Sequence, residues 1–284
     1  MSKAGSRGQR YGLVSRRRLL GQGLLLGCGA LPVWAGAGAA GAGDPYDGDP
    51  FKSLLWPDLR KEFLGPAART RFDERVKVLG PGFAEDPMNV PITVSADLPG
   101  VQRLIVLVDR NPIRKVLELQ PLAALPAVSL RFKLEQASPV RALALTADGL
   151  WHVGGAWVDS SGGGCTVAGA SRTDGSWTQT LGQVSGRVYA SGLPSSSHPG
   201  DSAARLRVRI MHPMDTGLVN GIPAFFVSKL AVRDANDREL LRIQTFEPVS
   251  ENPVFSFEFA KAPPGPLRIV GVDNNGNRID SRVE

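Results

Sequence analysis

A cysteine follows a run of glycines near the middle of the chain, in the stretch Ser161-Gly162-Gly163-Gly164-Cys165. Glycine permits wide backbone freedom and removes side-chain packing, so we expect Cys165 on an exposed, mobile arm that alkylates like a small free thiol. Catalysis needs a nucleophile held against a base, and a mobile arm does not provide this. The pattern favours a thiol that carries covalent cargo between partner enzymes. A linker that merely contains a cysteine, or a buried inert cysteine, is the alternative.

A second group of reactive side chains is Met211-His212-Pro213-Met214-Asp215. Thioether and imidazole ligands this close together suit copper, so His212 and Met214 are possible accessory residues. The structural alternative places Met211 inward at a strand end, with a turn at His212 and Pro213. We expect no resident metal here.

The remaining motifs give little support for an enzyme. His152 reads as a strand residue and His198 as a linker residue, although a Cys-His pair with one of the histidines remains an alternative. The sequence lacks the nucleophile-elbow, phosphate-loop, dinucleotide and zinc-protease motifs. We therefore expect no catalytic residues and no cofactor.

Short β-type runs must position the cysteine. Residues 44–65 predict a loop and a short amphipathic helix, and strand-like runs separated by turn residues begin near residue 73. Such a series is typical of an immunoglobulin-like sandwich. The predicted strands are Val76–Val78, Val90–Val94, Leu104–Val108, Val116–Leu119, Val128–Leu134, Val140–Leu145 and Trp151–Val158.

A second sandwich follows a Gly/Ser-rich linker. Residues 168–202 predict the linker, with an ordered element of undetermined type between Trp177 and Tyr189. The expected fold is all-β: two immunoglobulin-like β-sandwiches, over 45–167 and 203–284, with a short N-terminal helical segment. The later strands are Leu206–Ile210, Phe225–Val232, Glu239–Phe246, Val254–Phe259 and Leu267–Val272.

Residues 1–42 predict a signal peptide for export to the periplasm. A basic start precedes a short apolar run and small A-x-A sites, and Ser15-Arg16-Arg17-Arg18-Leu19-Leu20 is typical of a twin-arginine signal. The apolar run is too short and too rich in glycine to span a bilayer. The minority alternative is a lipoprotein, in which Cys28 of a lipobox is lipidated.

Removal of the leader removes the basic charge. The chain has 33 Lys and Arg against 27 Asp and Glu, and six of the bases lie in the leader. The mature chain is therefore nearly neutral, which excludes a nucleic-acid footprint. It retains one cysteine, and a single cysteine in an oxidising compartment indicates a free thiol or an intermolecular bond.

These residues resemble a known family, the SoxYZ sulfur carriers, and in particular the fused carriers associated with quinoprotein dehydrogenases. The SoxY-like part covers roughly 45–167 and the SoxZ-like part roughly 203–284. The SoxY-like motifs are Pro81–Asp86, Val90–Ile92, Asp109–Pro112, Phe132–Ser138 and Gly163–Cys165; the SoxZ-like motifs are His212–Gly217, Gly221–Ala224, Ser250–Pro253 and Asp273–Gly276.

The resemblance implies two sandwiches paired within one chain, with sulfur intermediates of thiosulfate oxidation attached to Cys165. The resemblance implies partner enzymes, with a quinoprotein dehydrogenase as one candidate, that would load, oxidise and release the cargo. This sequence departs from the family because its cysteine is internal, followed by Thr166-Val167-Ala168-Gly169, where SoxY ends. The second hypothesis is a non-catalytic accessory or assembly module for a periplasmic quinoprotein dehydrogenase, and the third is a cysteine-dependent enzyme.

Overall fold

The computed structural model describes residues 44–190 and 203–284. The predicted signal peptide, the possible lipobox at Cys28, and the linker stretch that contains His198 lie outside these residues. The described helices are short: α1 (Trp56–Leu64), α2 (Ala170–Asp174) and α3 (Trp177–Thr180). None of them is long and apolar enough to cross a membrane.

Strands dominate the first half, which we define as residues 44–167. Every strand predicted there forms, and two short ones, β1 and β3, join them. The strands are β1 (Arg69–Phe72), β2 (Val76–Leu79), β3 (Phe83–Ala84), β4 (Val90–Ala96), β5 (Val101–Val108), β6 (Lys115–Gln120), β7 (Ala127–Phe132), β8 (Ser138–Thr146) and β9 (Leu150–Ser160).

The second half, residues 203–284, also forms its predicted strands, and β16 is an addition. The turn predicted at Asn275-Gly276 joins β15 to β16, and the chain before this half contributes β10. The strands are β10 (Val184–Ala190), β11 (Ala204–Ile210), β12 (Val227–Arg233), β13 (Glu239–Thr245), β14 (Val254–Phe259), β15 (Leu267–Asp273) and β16 (Arg278–Val283). The all-β, two-sandwich fold class is confirmed.

The side-chain pattern of each strand reflects what covers it. In β11, Leu206 and Val208 are buried whereas Arg207 and Arg209 are exposed, as expected when one face packs on a core and the other meets water. In contrast, β8 is buried along nearly its whole length because α1 covers its outer face. That cover is a separate apolar cluster, which contains Trp56, Leu59, Ile105, Leu107, Leu143, Trp151 and Val153.

Both halves contribute to both sheets. Within the described residues, a large sheet of ten strands runs β1-β9-β8-β5-β6-β13-β12-β15-β16, with β3 paired to β9. A small sheet of six runs β10-β11-β14-β7-β4-β2. The halves meet edge to edge, where β6 pairs antiparallel with β13 and β7 with β14. We call these two ladders the seam, and one apolar core extends across it.

Residues 168–190 are more ordered than the predicted linker, in which only Trp177–Tyr189 was expected to hold an ordered element. They contain α2 and α3, and β10 pairs with β11 along its whole length. Val184 and Val188 pack against the core, and the Trp177 ring meets the Phe225 ring edge-on at 5.8 Å. These large apolar side chains explain the order, because their burial offsets the entropy of fixing the backbone.

A buried ion cluster ties the N-terminal segment to the sheet. The Arg141 guanidinium donates to both oxygens of Asp109 and to both oxygens of Asp49, at 2.7–2.8 Å. Its carbon lies 4.6 Å from the Trp56 ring centroid. The charges are paired and hydrogen-bonded, as buried charges require. The cluster fixes the end of β5, from which Asn111 reaches the candidate site.

Candidate functional site around Cys165

Cys165 is enclosed by residues from both halves of the chain. It is buried with no solvent exposure, and its Sγ lies 3.7 Å from the backbone oxygen of Lys133. Its backbone N–H donates to Oε2 of Glu135 at 2.9 Å. From the second half, the Thr216 hydroxyl donates to the Cys165 carbonyl oxygen at 2.6 Å. The expectation of an exposed thiol on a free arm is therefore not met in this structure.

The glycines before Cys165 allow close packing here. The N–H groups of Gly163 and Gly164 donate to the carbonyl oxygens of Glu135 and Leu134, at 3.1 and 3.2 Å. A Cβ on Gly164 would lie 2.2 Å from the Pro87 carbonyl oxygen, which leaves no room for any side chain. Gly162 and Gly163 have φ angles of 91° and 85°, which favour glycine. We call residues 162–165, packed in this way, the docked arm.

The backbone under the docked arm is fixed by Asn111. Its Nδ2 donates to the Lys133 carbonyl oxygen at 2.7 Å, and its Oδ1 accepts from the Glu135 N–H at 2.8 Å. Leu134 N–H donates to the Pro87 carbonyl oxygen at 2.8 Å. Because both backbone neighbours of Leu134 are fixed by one buried amide, residues 133–135 present a rigid surface to the arm.

The second half contributes a loop with unusual backbone geometry. Met214 has a φ of 50°, which is uncommon for a residue other than glycine. Its carbonyl oxygen accepts a hydrogen bond from the Lys133 ammonium. The loop then places Thr216 against Cys165. The cysteine position therefore depends on packing between the halves.

The electrostatics of the docked arm keep the thiol protonated. The pKa of Cys165 is raised from its ordinary 9.0 to about 12, chiefly by burial and also by the negative charge of Glu135, while Lys133 partly opposes both. Burial also lowers the pKa of Lys133, and the nearby groups Cys165, Asp215 and Glu251 act in the other direction. The thiolate is the nucleophilic form, so the docked thiol is chemically protected at neutral pH.

The chain after Cys165 is anchored to the second half. Both carboxylate oxygens of Glu251 accept from the first N–H groups of α2, those of Ala170 and Ser171, at 2.9 and 2.7 Å. Arg172 donates its Nε to Asp215 at 2.9 Å, and its guanidinium carbon lies 4.2 Å from the Trp177 ring centroid. The arm is therefore held both at Cys165 and a few residues beyond it.

His212 and Met214 lie in the same region, but they make internal contacts. The Met214 N–H donates to Nδ1 of His212 at 3.1 Å, and the Met214 sulfur accepts from the Val227 N–H at 3.3 Å. His212 Nε2 faces an oxygen of Asp273 at 3.5 Å, which is too long for a strong hydrogen bond. Burial lowers the pKa of His212 to about 4, with Asp273 opposing the shift. These contacts engage Nδ1 of His212 and the sulfur of Met214 within the protein.

The other histidine that the structure describes lies apart from the cysteine. His152 Nδ1 is 2.8 Å from an oxygen of Asp73, in the contact between β9 and the chain before β2. No cluster of three or more His, Cys, Asp or Glu side chains suited to a metal occurs in the ranges 44–190 and 203–284.

Sequence reasoning assigned no role to Lys133, Glu135, Thr216, Asn111 or Glu251. Lys133 and Glu135 stood in a quoted motif, directly after a predicted strand, and Thr216 followed the Met-His group. The available signal for a functional role was that two charged residues, Lys133 and Glu135, flank the apolar Leu134 at the end of a strand. Their partners lie far along the chain, so the sequence did not show that these residues converge on Cys165.

Two family models match the chain, one in each half. Residues 60–165 match the family model "Sulfur oxidation protein SoxY", and the match ends on Cys165. Residues 194–284 match the model "Sulphur oxidation protein SoxZ". The chain therefore joins a SoxY domain and a SoxZ domain in one polypeptide.

One similar solved structure is described as the sulfur carrier protein SoxY from Chlorobium limicola f thiosulfatophilum. It is 19% identical, with a TM-score of 0.33, and the alignment covers 37% of this chain and 90% of that one. A comparison with curated protein sequences gave no match.

Proposed function

We propose that this protein is a non-catalytic carrier that holds sulfur intermediates as covalent adducts on the Cys165 thiol. One observation carries the proposal: the SoxY match ends on Cys165, and the structure encloses this residue between the SoxY and SoxZ domains. The leader sequence supports export to the periplasm. The partners would be periplasmic sulfur-oxidising or redox enzymes that load and release the cargo.

Carriage requires the arm to leave its dock, because a fully buried thiol does not reach a partner active site. Hydrogen bonds from Gly163, Gly164, Cys165, Thr166 and Thr216 hold the arm. Thr166 and Val167 are already exposed, so undocking displaces only a short segment. The docked state then acts as the protected state of the thiol between encounters.

The chemistry of loading fixes what a partner must supply. Joining the cysteine sulfur to a sulfur anion through a new S–S bond releases the thiol proton and two electrons. An electron acceptor on the partner enzyme takes those electrons. Hydrolysis of an oxidised adduct returns the free thiol and a sulfur oxyanion. The carrier contributes only the cysteine sulfur to which the cargo is attached and the arm that presents it to the partner enzymes.

A second candidate function is an accessory or assembly module for a periplasmic quinoprotein dehydrogenase. The observation that favours it is the complete burial of Cys165 with a raised pKa, which suits an inert cysteine. In that case, binding would occur through the sandwich surfaces without cargo on the thiol.

Intact-protein mass spectrometry of material purified from the native organism separates the two functions. The carrier predicts mass increments of sulfur or sulfonate on Cys165, absent from Cys165→Ser, and sulfur oxidation lost in that variant. Because the residue is buried, the free energy of unfolding of Cys165→Ser must be measured alongside. An unmodified thiol in cells oxidising thiosulfate, with activity retained by a folded Cys165→Ser, would favour the accessory module.

A further inference from the structure

The outward face of the small sheet carries a wide groove that the Cys165 site does not use. Its volume is about 1310 Å³, and it crosses the seam from the SoxZ domain to the SoxY domain. Small-molecule pockets usually fall between about 300 and 1,000 Å³ and bury most of the ligand. This groove is larger and lies open on a sheet face, so its dimensions suit a polypeptide segment.

One row of side chains crosses the whole sheet in register. Adjacent strands pair Arg187 with Arg207, Arg207 with Ser256, and Ser256 with Ser129. The row continues through Thr93 to Leu79. Strands lie about 4.8 Å apart, so six of them span about 24 Å, the length of roughly seven extended residues. The groove therefore has a floor of small hydroxyl side chains, basic at one end and apolar at the other.

The charge of the groove is strongly one-sided. Arg131, Arg207 and Arg209 line it and are exposed, and within residues 44–190 and 203–284 none of them pairs with a carboxylate. Arg205 is paired with Glu258 at 2.6 Å. Because the unpaired guanidiniums stand on rigid strands, they form a fixed positive surface that would attract and orient carboxylates.

The acidic residues on the rim are engaged elsewhere. Glu251 accepts the first N–H groups of α2, and Asp174 accepts from the Ser176 N–H at 2.8 Å. Within the described residues, neither carboxylate forms an ion pair with Arg131, Arg207 or Arg209. Glu251, Ala170 and Ser171 of the rim also anchor the chain that follows Cys165, so an occupant of the groove would lie beside the arm.

We propose that this groove docks an extended, acidic segment of a partner protein. The occupant would lay carboxylates against Arg207, Arg209 and Arg131, with small polar side chains over the Ser/Thr floor. Because the rim residues Glu251, Ala170 and Ser171 also anchor the chain after Cys165, a partner bound in the groove would lie next to the docked arm. The proposal depends on the sheet surface alone and stands or falls independently of the cargo on Cys165.

The test uses a fluorescein-labelled peptide of alternating Glu and Ser, titrated with the full mature protein at low ionic strength and followed by fluorescence anisotropy. We expect binding that added salt weakens and that Arg207→Glu/Arg209→Glu reduces at least about tenfold, since charge reversal adds repulsion to lost attraction. The matched control is Lys229→Glu/Arg278→Glu, which reverses two exposed cations on the large sheet. It should change affinity by less than about twofold.

Three results would overturn the proposal: equal binding of a Gln/Ser peptide, equal loss in both double variants, or no binding to the wild type. Displacement by sodium sulfate, where sodium chloride of equal ionic strength has no effect, would indicate a small-oxyanion site instead. Circular dichroism and the free energy of unfolding check that the variants fold. If the double reversal unfolds the protein, Arg207→Gln with Lys229→Gln as its control repeats the comparison.

Discussion

At the scale of single residues, the proposed carrier function depends on how the protein stores the Cys165 thiol. Burial and the Glu135 carboxylate both disfavour the thiolate, and they hold the pKa of Cys165 at about 12. Such protection would suit the proposed carrier, because an exposed low-pKa thiol is quickly oxidised. Glu135 also accepts the Cys165 N–H, so one side chain both holds the arm and suppresses its chemistry.

Alkylation kinetics test the protected thiol. Native Cys165 should react with iodoacetamide at pH 8 at least about 100-fold more slowly than in denaturant, because a rise of three pKa units alone lowers the thiolate fraction about 1000-fold. Glu135→Gln should speed native alkylation about three- to tenfold by weakening the charge-assisted bond to the arm.

The matched control for this variant is Glu85→Gln, which removes an exposed carboxylate in the same domain. It should leave the rate within about twofold of the wild type. Fast native alkylation of the wild type, near its rate in denaturant, would contradict the docked arm.

His212 should make stability depend on acidity. Burial lowers its pKa from 6.5 to about 4, so the fold favours neutral imidazole. This contribution is present above pH 6.5 and is lost as the pH falls towards 4, up to about 3 kcal/mol. The free energy of unfolding from urea titrations at pH 7 and pH 4.5 should fall less in His212→Asn than in the wild type. An equal fall in both proteins would mean that His212 does not contribute.

At the scale of secondary-structure elements, the docked arm can pack against the protein only because its glycines have no side chains. The backbone of residues 162–164 lies against residues 133–135 so closely that a Cβ at Gly162 or Gly164 would collide with backbone atoms, most severely at Gly164. Gly163, in contrast, has open space beside its Cα and is constrained only by its φ of 85°. Neighbouring positions of the same run therefore require glycine for different physical reasons: close packing at one and a positive φ angle at the other.

Two alanine substitutions separate those reasons. Gly164→Ala should force the arm out of its dock, because the new Cβ would meet the Pro87 carbonyl oxygen, and native alkylation of Cys165 should accelerate at least about tenfold. Gly163→Ala should cost about 1–2 kcal/mol of backbone strain and have a smaller effect on the rate. Equal rates in the two variants would show that close packing does not hold the arm.

At the scale of the whole molecule, the two domains share sheets and a core. Because β6 pairs with β13 and β7 pairs with β14, each of the two sheets contains strands of both domains. Phe132 illustrates this, since it is fully buried in β7 and forms a bridge with Val249 of the SoxZ domain. Loss of packing on one side of the seam should therefore destabilise both domains together.

Phe132→Ala tests that coupling. It should lower the free energy of unfolding by about 3–5 kcal/mol, and calorimetry should still show one transition, shifted as a whole. Phe83→Ala is the control, because Phe83 is 54% exposed, and it should change stability by less than about 0.5 kcal/mol. Two separate transitions in Phe132→Ala would show that the domains unfold independently.

The sequence by itself determined most of the strands and singled out Cys165. Apolar alternation in runs such as Leu206–Ile210 predicts strands because side chains alternate across a sheet with a period of two, and turn residues mark where they end. The same reading identified Cys165 as the single cysteine after residue 42. β16 was missed because the alternation of Arg278–Val283 is weakened by polar residues at an edge.

Only the tertiary structure decided how those elements combine. Strand pairing across the seam, the order of residues 168–190 and the docking of the arm depend on contacts between residues far apart in the chain. Glycines before a cysteine predict flexibility when read locally, yet the same glycines permit close packing once Pro87 and Leu134 are brought beside them. Burial likewise decided the thiol chemistry, because a pKa depends on what surrounds the group in space.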